Sequence, residues 1–245
     1  MSAGAIATSR IFLGGAPDFQ VAAQQYPGFA TVPIYLALGM LSGLLGIAYN
    51  WLILGMLSAG DRWSRWPVEV RAGFIGAIVA LIAWFAPEIV GGGDSITERA
   101  LTGKDSLSLI AIVLSVRFVL GPLCYAAKTP GGLFAPLLVV GAATGVLFGH
   151  VCVSLIPPFA PDPVAMAIVG MAAFFTAVVR SPLTGIILVI EMTGSFTLLL
   201  PMLSACFAAM LIPTWLQAPP IYDSLRPMTL QIQKRLTAVN IATEN

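Results

Sequence analysis

Lys128-Thr129-Pro130-Gly131-Gly132-Leu133-Phe134-Ala135-Pro136 opens an apolar run that continues to Ile156. Two adjacent glycines free the backbone to turn sharply and to approach a ligand with no side chain in the way. Proline is favoured just inside a helix start, where its missing N–H would be unpaired anyway. The stretch predicts a helix that begins within an apolar environment, with the amides of Leu133 and Phe134 pointing out of its N-terminus. Such an end carries about half a positive charge, so a small anion can bind there. It can do so without a buried Lys or Arg, which would bind too tightly to release the ion. A turn that merely starts a helix fits the same residues.

The rest of the chain supplies the apolar environment. Of 245 residues, 58% are hydrophobic and only 9% are charged, and mean hydropathy is +0.92. A soluble domain carries roughly a quarter charged residues. So much apolar surface excludes disorder, and a net charge of +1 excludes a basic field for nucleic acid. The composition is that of an all-α polytopic membrane protein.

No charged residue falls between Asp18 and Asp61. A helix from Gly28 to Gly60 would be about 50 Å long, whereas the hydrocarbon core is about 30 Å thick. It is either steeply tilted or continues into the interface as far as Arg62, Trp63, Arg65 and Trp66, a cluster that reads as an anchor. Further spans are expected at about Ala72–Val90, Leu107–Ala127 and Leu133–Ile156, with 94–105 as a short polar connection. The segments Val164–Val179 and Leu183–Met192 are short, and Phe196–Leu216 contains Pro201 and Pro213. Broken and half-length helices mark transporters more than receptor-like bundles. A weak excess of Arg and Lys in the Asp61–Arg71 loop and after Tyr222 places both in the cytoplasm.

Enzyme chemistry finds little purchase. Cys124, Cys152 and Cys206 form no C-x-x-C pair, and each lies in an apolar run. His150 has no His, Cys or carboxylate cluster around it, so neither a metal site nor a nucleophile–base pair is expected. No cofactor is expected either.

Two further motifs stand in order after the first. One runs Val179-Arg180-Ser181-Pro182-Leu183-Thr184-Gly185-Ile186-Ile187-Leu188-Val189-Ile190-Glu191-Met192-Thr193-Gly194, and the other is Pro219-Pro220-Ile221-Tyr222-Asp223. With these, the sequence resembles the CLC family of chloride channels and proton/chloride antiporters. Gly132-Leu133-Phe134-Ala135-Pro136 is similar to the family's G-x-F-x-P element, and Arg180–Thr193 to its R-x-P-L-T-G-x-x-L-x-x-E-M-T stretch. Pro220-Ile221-Tyr222 sits where the family has the tyrosine that closes the anion site.

The resemblance implies a CLC-type fold and chloride contacts from Gly132, Leu133, Phe134 and Tyr222, the last through a phenol O–H that can donate to an anion. Taken alone, Tyr222 reads equally as an interfacial belt tyrosine. Gly131, Pro136, Arg180, Pro182 and Glu191 are expected to serve structure. Arg180 would cap or anchor a short helix. Glu191, an ionisable group in a membrane segment, is a functional candidate by default. The resemblance instead places it on helices that pack between two copies, where it would satisfy backbone or polar neighbours. Arg117 has no charged neighbour within its span, and its partner is not legible.

The similarity runs from near residue 1 to about 226, with 227–245 as a short cytoplasmic tail. CLC subunits contain two inverted halves, and this chain looks like the second, with residues 1–13 as the end of a first-half helix. The G-S-G-x-P and G-(R/K)-E-G-P elements of the first half are absent, and none of Glu69, Glu88, Glu98, Glu191 and Glu244 sits in a matching context. The expectation is chloride transport by a homodimer in a bacterial-type inner membrane. This chain would be a truncated half that does not transport alone, or a half-protein assembling with another subunit.

Overall fold

A computed structural model gives the conformation of residues 18–19, 21–22, 24, 28–62, 67–103, 106–127 and 132–225, without the side chains of 61 and 62. All regular structure among them is helical: α1 (Val32–Arg62), α2 (Val68–Phe85), α3 (Asp94–Thr102), α4 (Leu107–Ala126), α5 (Phe134–Leu155), α6 (Pro163–Val179), α7 (Pro182–Thr193) and α8 (Leu199–Trp215), with single 3-10 turns between. Five helical segments are long and apolar enough to cross a membrane, so this is a multi-pass membrane protein. The helices α6 and α7 are shorter and are separated only by Arg180 and Ser181.

Helix α6 lies at the centre, and every residue from Ala165 to Val178 is buried. A helix that is apolar all round has to be surrounded, and α5, α1, α8 and α7 all pack on it. Between lipid-embedded helices, close van der Waals contact replaces the hydrophobic effect as the cohesive force, which favours small residues at crossings. At Gly145 of α5, an added Cβ would stand 2.1 Å from the Met166 carbonyl oxygen of α6. At Gly39 of α1, it would stand 2.2 Å from the Ala205 carbonyl oxygen of α8. The backbones touch because nothing protrudes between them.

Prolines fall where they break no ladder. Pro163 and Pro182 occupy first turns, and Asp162 caps α6 by accepting from the Val164 amide at 2.9 Å. Helix α2 runs from Val68 to Phe85, not from Ala72 to Val90, because Pro87 starts a separate 3-10 turn after extended Ala86. The expected polar connection at 94–105 contains α3, whose Ile96, Thr97, Ala100 and Leu101 form a buried face. Its charged residues hid that spacing. The expectations for residues 1–13, Trp63, Arg65, Trp66, Gly131 and the 227–245 tail lie outside the described residues.

Candidate anion site

Leu133 is the N-cap residue of α5, and the first N–H to enter the helical ladder is that of Leu137, 3.1 Å from the Leu133 carbonyl. The amides of Leu133, Phe134 and Ala135 therefore precede the ladder, and no side chain caps this end. Pro136, the third helical residue, has no N–H to leave unpaired. Such an end can hold an anion with backbone alone.

Packing holds the loop in place. The Leu133 side chain is buried, and the Phe134 ring meets Phe175 of α6 edge-on with centroids 5.7 Å apart. Leu133 and Leu137 share one apolar cluster with Tyr49, Phe174, Val178 and Ile221. That cluster carries the chain segment of Tyr222 to the start of α5, across nearly ninety residues of sequence. Ile221 is fully buried whereas Tyr222 is half-exposed, and the Tyr222 phenol lies within electrostatic reach of Tyr125. Gly132 and Leu133 line a cavity of about 240 Å³ with Arg117, Gly121, Cys124 and Tyr125.

Arg180 does more than cap. It ends α6 in the left-handed region at φ 64°. Its guanidinium donates to the Ala218 carbonyl and to Thr214 Oγ1, the latter at 3.3 Å. One side chain thus links the α6–α7 break to the end of α8 and the approach to Ile221–Tyr222. Pro182 starts α7 beside it. Glu191 lies on the exposed face of α7 with no hydrogen bond or ion pair to any described residue. Polar satisfaction within its own chain, the expectation above, is not its role, because that face points away from the helices of this chain. His150 turns back on its own helix, with Nδ1 2.9 Å from the Val146 carbonyl.

Sequence reasoning missed the role of Arg117. It is 3% exposed, and its Nη1 donates to the Gly91 carbonyl at 2.7 Å. Nη2 lies against Gly93, where an added Cβ would stand 2.8 Å away, and φ 90° also demands glycine. Asp94, Tyr49 and Cys124 are within electrostatic reach. A buried cation therefore stands on the same cavity wall as the α5 loop, contrary to the expectation of a site with none nearby. The available signal was a lone Arg inside an apolar span.

The family model for voltage gated chloride channels matches residues 1–214. The chain belongs to that family. The H(+)/Cl(-) exchange transporter ClcA of Klebsiella pneumoniae (strain 342) is 36% identical over 228 residues, covering 92% of this chain and 48% of the relative. The Salmonella paratyphi A protein of the same name is 34% identical over 227 residues, covering 91% and 48%. The chain thus spans about half the length of the curated relatives it matches. A slow cyanobacterial Cl-/H+ antiporter has the same CLC fold, with a TM-score of 0.85 at 30% identity over 92% of this chain and 53% of its own. A CLC-type fluoride/proton antiporter, at 20% identity and a TM-score of 0.69 over 84% and 50%, shares the fold. Tyr222 lies beyond the segment matched by the family model.

Proposed function

We propose that this chain serves chloride transport across a bacterial inner membrane, binding the ion at the α5 N-terminus opposite the Tyr222 phenol. The observation that carries this reading is the convergence of three uncapped amides and one half-exposed tyrosine on a single apolar cluster. Amides hold the ion as fixed dipoles, and the phenol adds a donor. Neither brings a full charge into contact with the ion, so release stays fast. Exchange against protons is favoured over a passive channel because the named relatives are exchange transporters. A membrane enzyme has no such support.

The test is chloride titration calorimetry on the purified chain and its Tyr222→Phe variant in chloride-free detergent buffer. Loss of one hydrogen bond to a charged ligand is worth roughly 1.5–3 kcal/mol, or about tenfold or more in affinity. Equal affinities would remove Tyr222 from the site. No chloride heat from the parent chain would overturn the binding reading itself.

A homodimer is part of the same proposal, and Glu191 supports it. Leu183, Ile187 and Glu191, four residues apart, form one exposed stripe on α7, beside exposed Leu203, Phe207 and Leu211 of α8. Lipid tolerates the leucines but not a carboxylate, so a second copy is the better neighbour. Light scattering in detergent should report two copies, and a monomer at all concentrations contradicts this.

A further inference from the structure

We infer that the cavity behind the α5 loop is a second anion site, held by the guanidinium of Arg117 and distinct from the position facing Tyr222. The inference rests on the reading of the loop as an anion site and extends it to the loop's other side.

The first observation is an unpaired buried cation. A guanidinium has five N–H donors. In Arg117 only Nη1 has a partner, and Nε and Nη2 are buried without one. A buried charge without compensation is costly, so such groups are paired or neutralised. Asp94 contributes attraction, but no ion pair joins it to Arg117 among the described residues. The second observation is independent: the Tyr49 phenol is fully buried and also unpartnered. It lies against Gly121, where an added Cβ would stand 2.2 Å from Tyr49 Oη, and Gly121 is a wall of the cavity. Two donor side chains therefore flank one space with their capacity unused.

Size and charge select the ligand class. A volume of about 240 Å³ exceeds that of one water, roughly 30 Å³, several-fold, so it holds a halide-sized ion with some of its hydration. One cation partly offset by Asp94 suits a monovalent anion better than a divalent one. The remaining lining, including Leu120, Cys124 and Pro136, is apolar or weakly polar and offers no competing carboxylate. Gly91, also on the wall, is exposed, so an ion can reach the cavity from the protein surface.

Bromide is the probe, because its anomalous scattering reports position. Crystals of the purified chain in bromide should show a peak in the cavity beside Arg117, resolved from any peak at the Leu133 and Phe134 amides. A cavity holding only water at saturating bromide overturns the inference and leaves the loop site standing. A peak in the cavity with none at the amides supports it and instead defeats the reading of the loop. Cys124→Phe fills the cavity without touching Arg117 or the loop. It should cut the cavity peak at least tenfold while the loop peak persists. An undiminished cavity peak in that variant would place the ion elsewhere and overturn the assignment.

Discussion

Replacing Gly145 with Ala and Gly73 with Ala makes the same chemical change in two helices, and the structure gives the two opposite outcomes. At Gly145 the new Cβ would lie 2.1 Å from the Met166 carbonyl oxygen and 2.6 Å from its carbonyl carbon. Unstrained contacts of this kind are roughly 3.5 Å, so α5 and α6 would have to separate by about 1 Å. A gap of that size forfeits about a quarter to a half of each neighbouring contact's dispersion well. Both sides of the contact are backbone, with no rotamer to yield, which puts the cost near the upper end of the overpacking range, about 3 kcal/mol. Alanine's better helix propensity returns at most about 1 kcal/mol. The net loss of about 2 kcal/mol corresponds to roughly 4–8 °C in Tm for a chain of this size. At Gly73 of α2, nothing lies within 4 Å of the added Cβ, so only the propensity gain remains. Thermal unfolding in detergent, read by loss of the monodisperse chromatographic peak, should place Gly145→Ala below the parent chain and Gly73→Ala at or above it. A Gly145→Ala chain that melts with the parent, or a Gly73→Ala chain that loses as much, refutes the close-packing account of how α5 is seated.

Arg180→Met removes the bonds to Thr214 and Ala218, each worth roughly 1.5–3 kcal/mol for a charged donor. Amide exchange over residues 216–225 should quicken at least tenfold while α5 keeps its protection, and unchanged exchange there would show that Arg180 does not hold the Tyr222 segment. Asp162→Ala deletes the α6 cap and should cost about 1 kcal/mol. Its Tm should fall by a few degrees, Asp162→Asn should recover most of the loss, and identical melting of all three chains would contradict the capping role.

Much of the fold was legible because lipid imposes a one-dimensional code. A span must be apolar for about 20 residues, and Gly and Pro mark the breaks. The Gly132–Pro136 turn, the Arg180–Ser181 break and α4 from Leu107 all stand close to where hydropathy puts them. The miss at α3 arose because four of its nine residues, Asp94, Ser95, Glu98 and Arg99, are polar or charged and face outward, masking the buried face. The end of α2 was missed because hydropathy does not register that Pro87 stops a helix that remains apolar up to Val90.

By itself the sequence determined that the protein lives in lipid, where its helices start and stop, and that one helix begins with amides free to meet an anion. These follow from local rules: hydropathy, the missing proline N–H and glycine's backbone freedom. Only the tertiary structure decided what meets what. It set Ile221 against Leu133, and so brought Tyr222 to the α5 loop. It turned Arg180 towards Ala218 and left Glu191 on an outer face. It also placed the buried cation of Arg117 behind the loop, bonded to the Gly91 carbonyl. Such pairings depend on helix crossings that backbone contact at Gly39 and Gly145 permits. That contact is a property of two surfaces at once, and no single segment encodes it.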